Sequence, residues 1–408
     1  MINALKGMKD IYDDDSIFYE KIIKTCEEVA KNYDFTFINT PHLEYSKLFK
    51  RSVGESSDIV GKEMYEFKDK SDNDVCLRPE GTAGVVRSYI EHKFDKNISI
   101  KRWFYHGSMF RYERPQKGRL REFHQFGVES FGIKDIYEDA SIILMLCEIF
   151  SRLNIKYKIK LNSLGCKECM GIFKEKLLSF LNEKNDLCQD CKRRKELNPI
   201  RILDCKNDHC QQELKNCPTL IDNICDCCKK DFKSLMDILN ENNIEFSIDD
   251  RLVRGLDYYT KTAFEFISDE IGAKSAIAGG GRYDRLIEYL DGKSGYGIGF
   301  AMGIERIIDI LKQQKLNTKR EGIYICSLDE KYIKDIFNIG IKLRKKHKVT
   351  ISYESKKLAK HLSNADNLNA NIFLCMGEDE FAENSLFYKN LNTKEEKKIK
   401  ISSLEYEV

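Results

Sequence analysis

The chain has 408 residues, of which 42% are hydrophobic and 33% are charged, so it is long enough for two or three domains with cores of their own. Its formal net charge of +2 excludes a global field that attracts nucleic acid, and any RNA contact must therefore use local patches. No apolar run reaches the roughly eighteen residues of a membrane-spanning helix, and the first residues lack the apolar core of a signal peptide, so we expect a cytoplasmic protein with no membrane association.

The first predicted element is an amphipathic helix over residues 16–31, because apolar side chains recur there at helical spacing. Ser16 is the predicted N-cap, since serine hydroxyls satisfy free backbone N–H groups where helices begin. A predicted strand around Phe35 follows and leads into Pro41. The chain therefore starts with a helix, a strand and a proline in that order.

The next feature is the segment Leu77–Ala83, which reads LRPEGTA and follows a predicted strand. Either Gly81 or Thr82 could cap a helix predicted over residues 83–92. On these residues alone, a role in helix capping is an alternative to ligand binding. The hairpin that follows favours binding over a role in capping alone.

The central feature is a long predicted hairpin, with strands over residues 103–113 and 123–131 and a basic loop over residues 114–121. Charged and amide groups lie among the aromatic residues of its strands. Such groups are costly on a core-facing strand unless they meet a ligand or each other, so a binding site is favoured over a solvated sheet face. The embedded groups are Arg111, Glu113, Gln125 and Glu129.

A cysteine-rich stretch follows a predicted helix over residues 135–152 and a strand over residues 156–164. Ten of the fifteen cysteines lie between Cys166 and Cys228. We interpret residues 166–245 as an insertion between core strands. A cytoplasmic protein rarely keeps disulfides, so metal sites or free thiols are the two alternatives for these cysteines.

The first two cysteine pairs, Cys166 with Cys169 and Cys188 with Cys191, are separated by eighteen residues, which is within the usual spacing of one four-thiolate zinc site. Four such pairs could supply one or two ions. Free thiols packed as small hydrophobes remain the alternative. The candidate zinc ligands are Cys166, Cys169, Cys188, Cys191, Cys205, Cys210, Cys225 and Cys228.

Three further stretches carry chemistry beyond the insertion. Residues 251–266, RLVRGLDYYTKTAFEF, combine Arg254 with adjacent tyrosines, which is rarely a core pattern. Residues 276–284, AIAGGGRYD, contain a glycine triplet that permits close backbone approach to a ligand. Residues 295–306, GYGIGFAMGIER, predict a glycine-rich strand that runs into a helix carrying Arg306.

The C-terminal part is predicted as a separate small domain. A polar linker covers residues 316–321, and residues 322–408 alternate strand and helix, which predicts an α/β domain with a mostly parallel sheet.

The hairpin sequence FRYERPQKGRLREFHQFGVE resembles the second signature motif of class II aminoacyl-tRNA synthetases, in the form found in the histidyl-tRNA synthetases. Residues 251–266 resemble a segment peculiar to that family, and residues 295–306 resemble the third class II motif. The resemblance implies an α+β class II synthetase core built on an antiparallel sheet, with a helical Cys-rich insertion and a C-terminal α/β anticodon-binding domain. The implied core comprises residues 1–165 and 246–315.

The resemblance also implies the activity. ATP would activate histidine to histidyl-adenylate with release of pyrophosphate, and the histidyl group would pass to the 3′ end of a histidine tRNA. Mg²⁺ would bridge the β- and γ-phosphates. The helix–strand–proline unit resembles the first class II motif, which implies a homodimer.

The family's functional residues map onto positions of this sequence. Arg111 and Arg254 would be catalytic, on opposite sides of the α-phosphate. The implied ATP ligands are Arg111, Glu113, Phe123, Arg254 and Arg306, with Arg306 stacking on adenine opposite Phe123. The implied histidine ligands are Glu80, Thr82 and Gln125 at the ammonium group, Glu129 and Tyr259 at the imidazole, and Tyr258 and Tyr283 along the pocket wall.

Two rival interpretations remain at this point. One is a regulatory, non-aminoacylating paralogue of histidine biosynthesis, which shares the fold but lacks the C-terminal domain and the signature arginines. The other is a Cys-rich zinc or redox protein that binds RNA without catalysis. Histidine-dependent exchange between ATP and pyrophosphate would separate all three.

Overall fold

The computed structural model describes residues 2–54, 57, 59–97, 100–116, 118–184, 186–253, 258–271, 275–314 and 320–407. The chain divides into two units, residues 1–314 and residues 315–408. The predicted linker, residues 316–321, lies mostly outside the described residues. No helix in the described part of the chain combines the length and the apolarity that crossing a bilayer requires.

The first unit contains eleven labelled strands among its described residues. In chain order they are β1 (Thr36–Phe37), β2 (Leu43–Tyr45), β3 (Glu66–Lys68), β4 (Asp74–Leu77), β5 (Lys101–Phe110), β6 (Glu122–Phe131), β7 (Lys158–Ser163), β8 (Phe246–Ile248), β9 (Thr260–Ser268), β10 (Ser275–Arg282) and β11 (Gly297–Gly303).

The α-helices of the first unit are α1 (Asp13–Asn32), α2 (Ser46–Val53), α3 (Thr82–Glu91), α4 (Ile136–Arg152), α5 (Lys167–Asn182), α6 (Gln189–Leu197), α7 (Asp208–Glu213), α8 (Asp226–Glu241), α9 (Leu286–Tyr289) and α10 (Ile304–Gln313). Short 3₁₀ segments lie at Pro199–Asp204, Ile221–Asn223 and Asp269–Ile271, and a π-helical turn lies at Ile59–Glu63.

A large sheet forms the body of this unit, in the order β1-β5-β6-β11-β10-β9-β7-β8. All pairings from β5 to β7 are antiparallel, and only the two edge pairings, β1 with β5 and β7 with β8, are parallel. The predicted antiparallel core is therefore confirmed. A separate small sheet has the order β2-β4-β3.

The predicted hairpin is the ladder of β5 and β6. It runs unbroken from the pair Lys101–Phe131 to the pair Phe110–Glu122. The first strand ends at Phe110 because the Tyr112 N–H donates to the Glu63 carbonyl instead of to β6. This departure from the ladder carries the basic loop away from the sheet.

Helix α1 starts three residues before the predicted position. Tyr12 is the N-cap, and Asp13, Asp14 and Asp15 fill the first turn, where negative charge is favoured by the helix dipole. The Ser16 hydroxyl lies inside the helix and donates to the Asp13 carbonyl at 2.7 Å. The prediction of Ser16 as the cap was therefore wrong, because an acidic first turn extends the helix beyond the apolar pattern.

A buried ion pair fastens α4 to the end of β10. Arg282 is 1% exposed, and its Nε donates to the two carboxylate oxygens of Asp139 at 3.1 and 2.9 Å. The remaining guanidinium nitrogens donate to the carbonyls of Ile133 and Asp135. Since a buried charge is costly without such partners, this cluster fixes the turn between β6 and α4.

The Cys-rich insertion contains α5 to α8 and lies between the adjacent strands β7 and β8. Its helical character, predicted from the sequence, is confirmed. Its apolar core is not separate, because Phe173, Leu177 and Cys191 belong to the same buried cluster as Tyr105 and Tyr258. The insertion therefore packs directly onto the wall of the candidate site.

The second unit contains β12 (Ile323–Ser327), α11 (Ile333–Leu343), β13 (Val349–Ile351), α12 (Leu358–Asn367), β14 (Ile372–Met376), α13 (Glu378–Ala382), β15 (Ser385–Asn390), β16 (Glu396–Lys400) and α14 (Leu404–Glu407). The sheet order is β13-β12-β14-β15-β16. Two of its pairings are parallel and two are antiparallel, so the predicted α/β domain has a mixed sheet rather than a mostly parallel one.

Candidate active site

The candidate site is organised around the carboxylate of Glu129, which β6 places in the middle of the large sheet with 1% of its surface exposed. The Thr82 hydroxyl donates to Oε1 at 2.7 Å, and the Tyr105 hydroxyl lies 3.4 Å from the same oxygen. The Tyr283 hydroxyl donates to Oε2. Three chain segments that are distant in sequence therefore meet at one carboxylate.

Glycines provide the space for these groups. A Cβ at position 299 would overlap Oε2 of Glu129, and a Cβ at position 297 would overlap the Tyr283 ring. On the other side, Gly81 and Gly127 leave room for the Tyr105 ring. The glycine-rich pattern of β11 is thus explained by the close approach of a polar pocket to the backbone.

Burial dominates the electrostatics of Glu129 and raises its pKa to about 8. The hydroxyl donors Tyr283 and Thr82 oppose this effect, and the neighbouring Glu80 adds to it. A carboxylate in such a position favours a bound cation or hydrogen-bond donor. The pocket therefore has the chemistry of a site for a positively charged or protonated group.

Glu80 also lies in this pocket and is fully buried. Its two oxygens accept from the backbone N–H groups of Thr82 and Ala83 at 2.7 and 2.8 Å. Gly81, one of the two predicted alternatives, occupies the N-cap position of helix α3, and the Glu80 carboxylate supplies the side-chain hydrogen bonds to its first turn. Each carboxylate oxygen keeps a second acceptor position for a ligand.

Seven buried side-chain polar atoms lack a hydrogen-bond partner among the described residues, and two of them belong to predicted site residues: Oε1 of Gln125 and the hydroxyl of Tyr258. Buried polar atoms nearly always have partners in native proteins, so these two indicate positions where a ligand or water binds. Both residues were predicted at the site from the sequence. Their side chains leave an acceptor and a donor available for such a partner.

Aromatic rings line the pocket. The ring centroid of Tyr258 is 4.8 Å from that of Tyr259 and 5.9 Å from that of Tyr283. The structure therefore brings these predicted residues together. Tyr105 was not predicted as a site residue. The glycines at positions 81 and 127 were the available signal, but their relation to Tyr105 depends on tertiary contacts.

A second, positively charged region involves Arg111, Arg119 and Arg306. Arg111 donates from Nε to the Pro79 carbonyl at 2.9 Å, and its guanidinium carbon lies 5.3 Å from the centroid of the Phe123 ring. Arg306 donates to the carbonyls of Gly118 and Ala276. Burial lowers the pKa of Arg306, and the cations Arg119 and Arg111 lower it further.

Glu113 is the acidic partner in this region, with Oε2 3.4 Å from Arg119 and Oε1 3.8 Å from Arg111. Glu265 also acts on Arg306, so three cations face two carboxylates and an excess of positive charge remains, which is the arrangement that phosphate groups need. The predicted ATP ligands Arg111, Glu113, Phe123 and Arg306 therefore lie in one neighbourhood. Arg254, the second predicted catalytic arginine, lies outside the described residues.

An additional network supports the second hairpin strand. The carboxylate of Glu305 accepts from the His124 backbone N–H at 2.8 and 3.0 Å and lies 2.8 Å from Nδ1 of its ring. Nε2 of His124 lies 3.2 Å from the Ser108 hydroxyl. This chain of contacts joins α10 to both strands of the hairpin beside Phe123.

The predicted zinc ligands form two clusters, which we name thiol cluster A and thiol cluster B. Cluster A consists of Cys166, Cys169, Cys225 and Cys228, and cluster B consists of Cys188, Cys191, Cys205 and Cys210. Within each cluster all sulfur atoms lie within 4.8 Å of one another. The structure therefore joins the first pair in sequence with the fourth and the second with the third.

Comparison with known proteins identifies the relatives of this chain. Residues 7–307 match the family described as Histidyl-tRNA synthetase, and residues 323–408 match the family described as Anticodon binding domain. The chain is 74% identical over 408 residues to the histidine–tRNA ligase of Campylobacter lari, with 100% of both chains covered. It is 71% identical over 404 residues to that of Campylobacter jejuni subsp. jejuni, with 99% of both chains covered.

A solved structure shows the same similarity in three dimensions. The apo S. aureus histidyl-tRNA synthetase is 33% identical and superposes with a TM-score of 0.83, covering 100% of this chain and 99% of that chain. The predicted fold class is therefore confirmed: a class II synthetase core on an antiparallel sheet, followed by a C-terminal anticodon-binding domain.

The raised pKa of Glu129 predicts how stability depends on pH. Between about pH 4.5 and pH 8 the folded protein keeps a proton on Glu129 that the unfolded chain releases. The free energy of unfolding of the ligand-free protein should therefore decrease as the pH rises through this range. Chemical denaturation should show that Glu129→Gln lacks this component, whereas Glu241→Gln, which changes an exposed carboxylate of α8, retains it. Parallel pH profiles for the wild type and Glu129→Gln would contradict the prediction.

Proposed function

This chain belongs to the histidyl-tRNA synthetase family and is an ATP-dependent ligase that joins histidine to its tRNA, and we propose that the pocket around Glu129 is where it binds histidine. The observation that supports this location is the convergence of Thr82, Tyr105 and Tyr283 on one buried carboxylate. The expected location of the enzyme is the cytoplasm, because tRNA is charged there.

Both ends of histidine find complementary groups in this pocket. The imidazole offers an N–H donor and an acceptor nitrogen, which Glu129 and Tyr259 would meet. The α-ammonium group needs acceptors, and the free Oε1 of Gln125 together with Glu80 and Thr82 would supply them. Amino acids without a polar ring would leave buried partners unpaired, which makes such a site selective.

The adenylation chemistry would take place beside the arginines. Attack of the histidine carboxylate on the α-phosphate of ATP builds negative charge on the phosphate oxygens, and pyrophosphate leaves. Arg111 would stabilise that charge, with Arg254 on the opposite side by analogy with the family motif. Arg306 and Phe123 would hold the nucleotide, and Glu113 would lie near its adenine. Mg²⁺ would enter with ATP and bridge its terminal phosphates.

Transfer to tRNA uses the second unit. Residues 323–408 match an anticodon-binding domain, which supports a histidine tRNA as the macromolecular substrate. The regulatory paralogue, considered above as a rival, is not favoured, because the full-length identity of 74% is to a histidine–tRNA ligase. The non-catalytic Cys-rich protein is not favoured for the same reason.

Histidine-dependent ATP–pyrophosphate exchange tests the proposed site. The wild type should show exchange with histidine, and Glu129→Gln should lose about a hundredfold or more in kcat/KM for histidine, because a buried partner of the imidazole is removed. Glu241→Gln serves as a matched control and should retain full exchange. Normal exchange in Glu129→Gln would place the imidazole partner elsewhere, and no exchange in the wild type would refute the proposed function.

We also propose a homodimer that buries the small sheet. Leu43 and Tyr45 of β2 and Phe67 of β3 are exposed, and Tyr45 and Phe67 pair with the same residue of β4. Their side chains therefore share one apolar face. Exposed apolar groups in one patch are typical of an interface, and a second copy fits because a two-fold axis can pair the same patch on both chains.

Light scattering tests this dimer. At micromolar concentration the mass should be twice the chain mass of 47.6 kDa. Tyr45→Asp should shift the equilibrium toward monomer, because a buried charge without a partner is costly. Leu368→Asp, which places the same charge at an exposed apolar position of the second unit, should leave the mass unchanged. A fully active monomer would refute the proposal.

The thiol clusters are proposed as two structural zinc sites. Tetrahedral zinc with Zn–S bonds of about 2.3 Å places sulfur atoms roughly 3.8 Å apart. The sulfurs of Cys166 and Cys169 lie 3.4 Å apart, and those of Cys188 and Cys205 lie 3.9 Å apart. Each cluster therefore already has the dimensions of a tetrathiolate site.

The surrounding backbone also favours metal-bound thiolates. Cys166, Cys188 and Cys225 occupy the N-cap positions of α5, α6 and α8, where the helix dipole stabilises negative charge. The Cys188 N–H donates to the sulfur of Cys210 at 3.2 Å, and the Cys225 N–H donates to that of Cys169 at 3.1 Å. Such donors orient and stabilise thiolate ligands.

Metal analysis of the purified protein distinguishes zinc sites from packed free thiols. The wild type should contain about two zinc ions per chain, and Cys210→Ser should lose one of them and unfold at lower temperature. Cys227→Ser is the matched control, because Cys227 lies beside Cys228 but belongs to neither cluster. Well under one zinc per chain after expression with ample zinc would support free thiols instead.

A further inference from the structure

The loop between β8 and Tyr258 makes a contact that the proposed function does not use. Arg251 extends from this loop toward the insertion, where its guanidinium donates to Oε1 of Gln211 at 2.9 Å. It also donates to the carbonyls of Leu214 and Lys215, just beyond the end of α7, at 3.0 and 3.3 Å. These three acceptors are neutral, so the contact fixes a geometry rather than balancing a charge.

The partner of Arg251 is itself tied to thiol cluster B. The side-chain amide of Gln211 accepts from Arg251 and donates through Nε2 to the carbonyl of Cys205. In addition, Gln211 lies directly after Cys210 on α7, so its backbone and the Nε2 end of its amide are both positioned by this cluster. A displacement of thiol cluster B would therefore move Gln211 and, through its side chain, the contact with Arg251.

On the core side, the backbone around Arg251 is held firmly. Asn162 of β7 is fully buried, and its Nδ2 donates to the carbonyls of Asp250 and Leu252 at 3.3 and 3.0 Å. The carboxylate of Asp249 accepts from the Arg251 N–H at 3.2 Å. The backbone that leads toward the pocket is therefore bound between the sheet and the insertion.

Apolar packing connects the contacts of Arg251 to the proposed histidine pocket. Leu252 is buried, and Val253 packs against the apolar cluster that contains Leu214 of the insertion together with Tyr258 and Tyr259. The contacts that hold Arg251 thus set the position of the residues leading toward the pocket tyrosines. Close packing transmits small displacements, because interiors of this density leave no space to absorb them.

The insertion also contacts the chain that follows Tyr258 and Tyr259. Lys261 of β9 has a left-handed backbone with φ of +48°, and its Nζ lies 3.1 Å from Oδ2 of Asp231 on α8. Its backbone N–H donates to the carbonyl of Gly165, next to thiol cluster A, at 2.8 Å. Tyr258 and Tyr259 therefore lie between two attachment points, one associated with each thiol cluster.

We propose that Arg251 is a positioning residue that couples the Cys-rich insertion to histidine binding, by holding the chain that leads toward Tyr258 and Tyr259 against α7. The proposal rests on the proposed function, because it assumes that these tyrosines line the histidine site. Arg251 does not touch the substrate. Its effect appears in the KM for histidine and, because Arg254 belongs to the same stretch of chain, in kcat. The KM for ATP changes little, since the proposed ATP ligands Arg111, Phe123 and Arg306 belong to other segments.

Steady-state ATP–pyrophosphate exchange on the full-length protein tests this coupling. Arg251→Met should raise the KM for histidine about tenfold and change the KM for ATP less than about twofold, since misplacement affects one substrate site. Gln211→Leu, a change inside the insertion, should have a similar effect. Lys184→Met removes another contact to α7, the ion pair of Lys184 with Glu213, and should leave both KM values unchanged.

The double variant that combines Arg251→Met with Gln211→Leu shows whether the two residues act through the same contact or whether each destabilises the pocket independently. If Arg251 acts through Gln211, the histidine KM of the double variant should be no higher than that of Arg251→Met alone. Arg251→Lys, which can reach only part of the acceptor set, should give an intermediate KM. Thermal unfolding of every variant shows whether it folds. If Arg251→Met does not fold, the KM values of Gln211→Leu decide whether the coupling exists.

Three results would overturn the proposal: an unchanged histidine KM in both Arg251→Met and Gln211→Leu, additive effects in the double variant, or an equal rise in the KM for ATP. Each of these leaves the proposed function intact, provided that the wild type shows histidine-dependent exchange. A wild type without any such exchange would instead refute the proposed function and remove this inference with it.

Discussion

The structure depends on the accommodation of one buried carboxylate in the middle of a sheet. Glu129 has almost no access to water, so the surrounding chain must supply its hydrogen bonds. Thr82, Tyr105 and Tyr283 do so from three different elements. The rings need space that side chains would otherwise occupy, and the glycines of α3, β6 and β11 follow from that need. The hydrogen bonding of Glu129 therefore also determines how the surrounding core can pack.

The two halves of the site favour ligands of opposite charge. Burial raises the pKa values of Glu129 and Glu80, and burial together with neighbouring cations lowers the pKa of Arg306. A ligand of opposite charge would offset the cost of burying each group. Preorganised charge of this kind requires little rearrangement when the reaction proceeds. In the proposed sites, histidine and the phosphates of ATP would provide the two complementary charges.

The insertion is part of this arrangement, although its sequence suggests an independent module. Its apolar core continues into the cluster that contains Tyr258, and its helices contact the chain on both sides of the tyrosine pair. A small helical unit with so many polar residues gains stability from that shared core and from its two thiol clusters. Stability of the insertion and geometry of the histidine pocket are thus expected to vary together.

Strand alternation in the sequence predicted the hairpin, and the resemblance of its motifs to the histidyl-tRNA synthetases implied the antiparallel core, the helical insertion and the candidate pocket residues, because motifs are local features of a sequence. The sequence placed the start of α1 wrongly at Ser16, since apolar spacing does not record the acidic turn that extends the helix. Tertiary structure alone decided which cysteine pairs share a cluster, that Tyr105 joins Glu129, and that Arg282 pairs with Asp139. These contacts join residues far apart in the chain, and only the folded backbone brings such residues within the few ångströms over which hydrogen bonds and ion pairs act.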